Sequence, residues 1–351
     1  MKCRVCASIR TENFKFSHLV FPSKNNNFKS YFCYECGSVS DYKNSSVNKK
    51  IYSSGEYRNE QAYLVDNYKT NKVTIPIDFW SIISFKRYFA IFNSLMKITK
   101  IKKIKNMRIL DFGGYNGVLG FALKQKFNAK SFYVADFDKK GLKYAEFLGA
   151  KTINLNKKKF DQNNFDLILI VQVLEHLKSP SEILEVLKKK LTKKKYSGII
   201  YAEVPNLYGF PMSEKYHLSN FNINSFIKLF EKSGLKVIGY GGTSTPLESS
   251  KFNYFLSSPK ESIFVIATLN NNIYKPMLVK YDEIPKTIKE FKYKLNLSYA
   301  EIMTKYIFFN LFRLSLKYFK TSAKYISYGF LEILVLKIFR TSFISLLLNK
   351  K

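Results

Sequence analysis

Along the middle of the chain the apolar residues fall into two kinds of pattern. Short continuous runs over 107–112, 131–135, 165–171, 198–205, 235–240 and 262–269 have the length and the β-branched and aromatic content of buried strands. Between them, apolar residues recur every three or four positions. This spacing predicts helices over 118–126 and 139–148, a third with core face Ile183, Leu184, Leu187 and Leu191, and a fourth carrying Ile223, Phe226, Ile227 and Phe230. Gly149 and Gly234 stand where two of these helices should stop. Ser179-Pro180-Ser181-Glu182 has the form of a capping box, with proline in the first turn of the third helix. Strands alternating with helices over 107–270 predict an α/β fold built on a doubly wound parallel sheet.

The flanks are less regular. Phe79, Ile82, Ile83, Tyr88, Ile91 and Leu95 predict a helix within 77–101 that packs on the sheet and ends at a lysine run, 97–105, expected to be a solvated hinge. Residues 38–75 are rich in Tyr, Ser and Asn and suggest a linker with one helix near 59–68. Residues 302–351 carry nine Lys and Arg against one Glu among aromatic and aliphatic clusters, which suits basic amphipathic helices. The chain therefore divides into a module over 1–45, a linker and helical segment over 46–106, the α/β domain over 107–270 and a helical C-terminal region over 271–351.

Composition narrows the choices. With 46% hydrophobic residues the chain has enough apolar surface to bury a core, so it is not a disordered tail protein. No run reaches the roughly 18 apolar residues that cross a bilayer, and no secretory segment follows the first residues, which points to the cytoplasm. The formal charge of +32 would suit nucleic acid or an anionic surface. Yet 51 of the 58 basic residues are Lys and only 7 are Arg, the mixture that an A+T-rich genome writes. Bidentate recognition of phosphates and base edges favours Arg, so a nucleic-acid partner is disfavoured. Peripheral contact with an anionic membrane surface through 302–351 remains in view, equally with packing on the rest of the chain or on a second subunit.

All four cysteines lie in the first 36 residues, as Cys3-Arg-Val-Cys6 and Cys33-Tyr-Glu-Cys36. Two Cys-x-x-Cys pairs can close a tetrahedron of thiolates around a zinc ion, and Gly37 suits the turn behind the second pair. Two disulfides or a redox pair are the alternatives, disfavoured in a cytoplasmic chain. A closed four-ligand site has no position for substrate, so this zinc would be structural. His18, between the pairs, is expected to be a surface or packing residue.

A doubly wound sheet binds its ligand beyond the carboxyl ends of its strands, where the strand order reverses. The loop after the first strand is Asp111-Phe112-Gly113-Gly114-Tyr115-Asn116-Gly117, and the second strand ends at Asp136-Phe137-Asp138. A dinucleotide's pyrophosphate would be repelled by Asp111. A cofactor bearing an ammonium and a sulfonium and no phosphate would be attracted, and S-adenosylmethionine fits that description. Asp136 can accept both hydrogen bonds of a ribose diol.

These residues resemble the class I S-adenosylmethionine-dependent methyltransferases. Ile109-Leu110-Asp111-Phe112-Gly113-Gly114-Tyr115-Asn116-Gly117, Val134-Ala135-Asp136, Phe165-Asp166-Leu167-Ile168 leading to Val173-Leu174-Glu175-His176-Leu177, and Glu203-Val204-Pro205-Asn206 carry the resemblance. It implies a Rossmann-like sheet of seven strands. It assigns Asp111, Gly113, Gly114, Tyr115 and Gly117 to the methionine end, Asp136 and Phe137 to the ribose side and Gln172 to the cofactor's far side. Tyr115 stands where most members have glycine, and is expected to keep a negative φ. The cysteine module ahead of the fold is similar to the sugar C-methyltransferases. Their His-Glu-His segment is matched in part by Lys215-Tyr216-His217, with Lys215 and Tyr216 in place of the first His and the Glu.

Methyl transfer is an in-line displacement that needs alignment and, for a hydroxyl or carbon acceptor, a base. His217 is the candidate base, with helix capping near Asn222 as its alternative role, and Glu175 and His176 are candidate acceptor contacts; Tyr208 and Tyr216 are weaker ones. The sequence thus predicts a methyltransferase acting on a small polar acceptor, a nucleotide- or lipid-linked sugar of surface glycan synthesis by resemblance. A non-catalytic zinc-bearing scaffold, or O- or N-methylation of another metabolite, is the alternative. A location on the inner membrane face would suit a lipid-linked acceptor. The sequence gives no oligomeric state.

Overall fold

Alternate residues of the central strands go to opposite cores. Ile109, Leu167, Leu169, Ile199 and Tyr201 are buried on one face, and Leu110, Ile168, Ile170, Ile200 and Ala202 on the other. Strands buried on both faces are what a parallel sheet between two helical layers requires. The computed structural model describes residues 1–16, 28–41, 64–69, 74–157, 160–209, 217–243, 262–269, 273–274 and 282–298.

In chain order the strands are β1 (Thr11–Phe16), β2 (Phe28–Cys33), β3 (Val39–Asp41), β4 (Leu64–Lys69), β5 (Thr74–Asp78), β6 (Arg108–Phe112), β7 (Ser131–Asp136) and β8 (Lys151–Asn154). They continue with β9 (Leu167–Val171), β10 (Ile199–Pro205), β11 (Ser219–Asn220), β12 (Lys236–Thr243) and β13 (Ser262–Thr268). The helices are α1 (Phe79–Ile98), α2 (Val118–Phe127), α3 (Lys139–Phe147), α4 (Pro180–Lys188), α5 (Ile223–Lys232) and α6 over 288–298. Seven strands form the central sheet in the order β12-β13-β10-β9-β6-β7-β8. The pairs from β10 to β8 are parallel, whereas β13 runs antiparallel to both β10 and β12. Chain order reverses between β6 and β9, so the loops leaving these two strands flank the switch point.

One core is closed by α1, through Tyr88, Ile91 and Leu95, and by Leu119, Leu123, Leu142 and Ala145 of α2 and α3. The other is closed by Leu184 and Leu187 of α4 and by Phe226, Ile227 and Phe230 of α5.

Several local expectations change. The helix anticipated over 59–68 is, where described, a strand: β4 pairs antiparallel with β5, and α1 starts only at Phe79. The lysine run holds a 3-10 turn at Ile101–Lys103 with Ile101 fully buried, so it is anchored in the core instead of forming a free hinge. Pro180 opens α4 as expected, but the Ser179 side chain makes no capping hydrogen bond. Strand β8 was not anticipated; its single buried residue is Ile153.

The cysteine module is joined to the central domain. Its sheet has the order β1-β2-β3-β11, and β11 comes from the segment between β10 and α5. Ser219 pairs with Ser40 and Asn220 with Val39. Asn222 donates from Nδ2 to the Gly37 carbonyl at 2.7 Å, and Lys228 and Lys232 of α5 donate to the carbonyls of Glu35 and Cys6. Helix α6 covers the module from another side, with Phe291 stacked on Phe32 at 4.5 Å and edge-on to Phe14 at 5.5 Å. Residues 302–351 lie outside the described residues, as do Lys215, Tyr216 and His18.

Candidate functional site

Crowding between two acids and two adjacent strand ends shapes the loop after β6. Gly113 has φ +73°, and a Cβ there would sit 2.4 Å from a Val173 methyl, so this loop and the one after β9 touch. Gly114 is required by space instead, since its Cβ would lie 2.4 Å from the Asp111 carboxyl carbon. Gly117, at φ +74°, is the N-terminal cap residue of α2. Tyr115 has φ +46°, against the expectation of a negative value. That conformation costs a non-glycine residue about 1–2 kcal/mol, so the surroundings must hold it. They do: the Tyr115 N–H donates to Asp136 Oδ2 at 2.8 Å, and its ring covers Gly141 in the first turn of α3, where a Cβ would come within 2.5 Å of it.

Asp111 is buried under Gly114, and its Oδ2 accepts the Gly120 N–H at 3.1 Å. Burial pushes its pKa up to about 7, opposed by that hydrogen bond and helped by the Asp136 charge. Asp136 ends β7, and its Oδ1 accepts the Asp138 N–H at 2.9 Å. Asp138 in turn caps α3 by accepting from the N–H groups of Lys140 and Gly141. The Phe137 carbonyl accepts from Asn156 Nδ2 at 2.9 Å. Both acids therefore organise main chain around the glycine loop, at the strand ends where the sequence predicts the cofactor.

At the end of β9, Gln172 has φ +56°. Its N–H donates to the Glu203 carbonyl at 2.8 Å, and its Nε2 reaches Glu203 Oε1 at 3.4 Å and Ser262 Oγ at 3.3 Å. The Glu203 carboxylate is buried, and it also accepts from the Tyr201 hydroxyl at 3.1 Å and meets Arg87 Nε at 3.3 Å. Gln172 thus faces β10 and β13. Sequence reasoning missed Arg87, which nothing but its being an arginine in a lysine-rich chain marks out.

Beyond Gln172 a 3-10 turn, Leu174–His176, carries the two other candidates. Glu175 is 1% exposed and its Oε1 lies 3.7 Å from His176 Nε2. The His217 ring stands edge-on to that of His176, 4.9 Å between centroids. His217 comes from a segment distant in sequence that the Leu218 N–H fixes by donating to the Glu175 carbonyl at 2.8 Å. Burial, and then His176, pushes the His217 pKa well below 6.5, so the imidazole is neutral at physiological pH. Capping of α5 belongs to Asn222 and Ser225, which bond each other's main chain in a capping box, and not to His217. Tyr208 packs in the apolar cluster of Phe14, Phe32, Val39 and Phe291, with Lys294 Nζ 5.0 Å above its ring.

The four cysteines converge. Their Sγ atoms lie within 4.8 Å of one another, with Cys3 and Cys36 at 3.7 Å and Cys6 and Cys33 at 3.5 Å. All four are free thiols and buried, which removes the disulfide alternative in this structure. Thiolates around a tetrahedral zinc, at about 2.3 Å each, stand about 3.8 Å apart, so the residues present fit that ion. The two knuckles repeat one geometry. Ala7 and Gly37 have φ +61° and +74°, their N–H groups donate to the carbonyls of Cys3 and Cys33, and the N–H groups of Cys3 and Cys33 donate to the carbonyls of Ser8 and Ser38. Hydrogen bonds among the four thiols lower the pKa of Cys3 and Cys6 and raise that of Cys33 and Cys36. A divalent cation relieves that competition.

No helix among the described residues is long and apolar enough to cross a membrane. No curated protein matches the sequence. Among solved structures, an S-adenosylmethionine-dependent methyltransferase from Clostridium acetobutylicum aligns at 11% identity over 54% of this chain and 92% of its own, with a TM-score of 0.39. One from Listeria monocytogenes, described as a putative methyltransferase with the same cofactor, aligns at 12% identity over 53% and 99%, with a TM-score of 0.41. The magnesium protoporphyrin IX methyltransferase of Synechocystis, solved with bound SAH, aligns at 14% identity over 64% and 99%, with a TM-score of 0.43. Residues 85–239, from α1 into β12, match the family model described as a methyltransferase domain.

Proposed function

We propose that the chain transfers a methyl group from S-adenosylmethionine to a small polar acceptor, with a structural zinc held by Cys3, Cys6, Cys33 and Cys36. One observation carries this reading: the two acids at the ends of β6 and β7 bracket a glycine loop that abuts, through Gly113 and Val173, the turn bearing Glu175 and His176. Cofactor and acceptor sites of a methyl transfer must adjoin in this way. The bound cofactor supplies an electrophilic methyl on sulfonium, and Asp111 and Asp136 offer negative charge and hydrogen-bond acceptors on its side. The neutral His217 imidazole has a lone pair to accept the acceptor's proton, with Glu175 and His176 around it.

For the acceptor we favour a nucleotide- or lipid-linked sugar of surface glycan synthesis. This rests on the likeness of the cysteine module and of the segment ending in His217 to sugar C-methyltransferases. Contact of residues 302–351 with an anionic membrane surface would bring the enzyme to a lipid-linked acceptor on the cytoplasmic face.

Calorimetric titration with S-adenosylmethionine and S-adenosylhomocysteine tests the first step. Micromolar binding that Asp136→Ala abolishes, with the fold intact by circular dichroism, is the expected result and justifies a screen of nucleotide sugars. No binding by the folded, zinc-loaded protein would overturn the reading in favour of a scaffold.

A further inference from the structure

The geometry points to a second metal site, distinct from the four cysteines: Glu175, His176 and His217 bind a divalent transition-metal cation beside the glycine loop. One carboxylate oxygen and one nitrogen from each imidazole lie within 4.8 Å of one another, a convergence of donors that the described residues otherwise form only at the cysteines. Ligands around a tetrahedral zinc or similar ion, at about 2.0–2.1 Å, stand about 3.3 Å apart. Adjustment of side chains by about 1 Å closes the difference. Two imidazoles and one carboxylate suit zinc, iron(II), cobalt(II) or manganese(II), and three protein ligands leave coordination positions open. The cysteine set, by contrast, is closed.

The site is built, not incidental. Glu175 and His217 are almost fully buried. The two halves come from different parts of the chain, and the Leu218-to-Glu175 main-chain bond locks them together. The turn carrying Glu175 and His176 follows Val173, which touches Gly113, so the open positions of the cation are adjacent to the loop assigned to the cofactor. This rests on the methyltransferase reading and deepens it: the cation would hold an acceptor oxygen, or a neighbouring pair of oxygens, next to the methyl donor. It gives His217 a ligand's role in place of the base's.

Cobalt(II) tests the assignment on the full chain. After chelation and exchange, the wild-type protein is titrated with cobalt(II) alone while its absorption is recorded, because thiolate ligation gives intense charge-transfer bands and nitrogen–oxygen ligation gives only weak visible ones. Two equivalents are expected, one with the thiolate signature and one without. Glu175→Gln and the more peripheral His176→Asn should each lose the second equivalent and keep the first, which also reports that the module is folded. A single thiolate-bound equivalent in the wild type, or a second equivalent that persists in both variants, would overturn the metal site. Parallel S-adenosylmethionine titrations separate the two ideas. Cofactor binding with one cobalt sinks the metal site alone, and two cobalts without cofactor binding sink the methyltransferase reading alone.

Discussion

The main-chain N–H of Leu218 donates to the carbonyl of Glu175 at 2.8 Å, tying the turn after β9 to the segment before α5. Through that bond, His217 is set beside Glu175 and His176, although 40 residues separate it from the turn in sequence. Substitution His217→Gln should therefore leave S-adenosylmethionine affinity unchanged and reduce turnover by about 10²- to 10⁴-fold, the range of a lost proton-transfer group or acceptor-positioning group. Equilibrium titration beside a turnover assay separates the two effects. A matching fall in cofactor affinity would mean that His217 supports the cofactor loop instead.

Asp111 makes stability depend on pH. Its folded pKa of about 7 lies above the ordinary 3.8, so the native state binds the extra proton between these values. Stability of the cofactor-free protein should then fall as pH rises from 4 to 7, by up to about 4 kcal/mol from this group. Asp111→Asn should flatten that slope in urea titrations across the window. A cationic cofactor nearby favours the ionised form, so its binding at pH 7 should release a fraction of a proton, read as a buffer-dependent calorimetric enthalpy. Identical enthalpies in phosphate and Tris would count against a charge contact.

Gly114 separates space from backbone strain. Its φ is ordinary, yet a Cβ would lie 2.4 Å from the Asp111 carboxyl carbon. Gly114→Ala should destabilise by about 1–3 kcal/mol, as overpacking does, and weaken cofactor binding by moving the carboxylate. Pairing it with Asp111→Ala should recover most of the stability. Additive losses in the double variant would show that the clash lies elsewhere.

Loss of the proposed zinc should be felt at His217. Cys36→Ser removes a ligand from the site on which β3 depends, and β3 pairs with Ser219 and Asn220 only two residues from His217. A fall of about 4 kcal/mol or more is expected, the scale of a lost structural metal. Amides 218–220 should exchange hydrogen faster, and turnover should drop. Unchanged protection of those amides would mean that β11 is held by the central domain alone.

The central sheet was legible because its strands are buried on both faces and its helices carry clean apolar stripes. β6, β7, β9, β10 and β13 and the helices around them follow the periodicity closely. Strand β8 escaped because Lys-Thr-Ile-Asn buries one side chain, too little for a pattern. Strand β11 escaped because two residues have no periodicity, and its partner lies about 180 positions earlier. The stretch at 64–69 had no clear apolar stripe, so nothing local distinguished hairpin from helix. At the site, glycines and acids could be placed from the strand ends. The left-handed Tyr115 could not, because its conformation is stabilised by Asp136 and Gly141, contacts that exist only after folding.

The borrowed strand β11 also sets an order of events during synthesis. The chain makes β1, β2 and β3 well before β11, and the edge of β3 must wait for residues 219–220, about 180 residues later. At 5–20 residues per second this is roughly 10–40 s of translation. Throughout that interval the cysteine knuckles can capture zinc, but the Val39–Asp41 edge stays open to any other strand. A segment made early relative to β11 is therefore completed late, and during that interval the nascent chain is exposed to mispairing at the β3 edge.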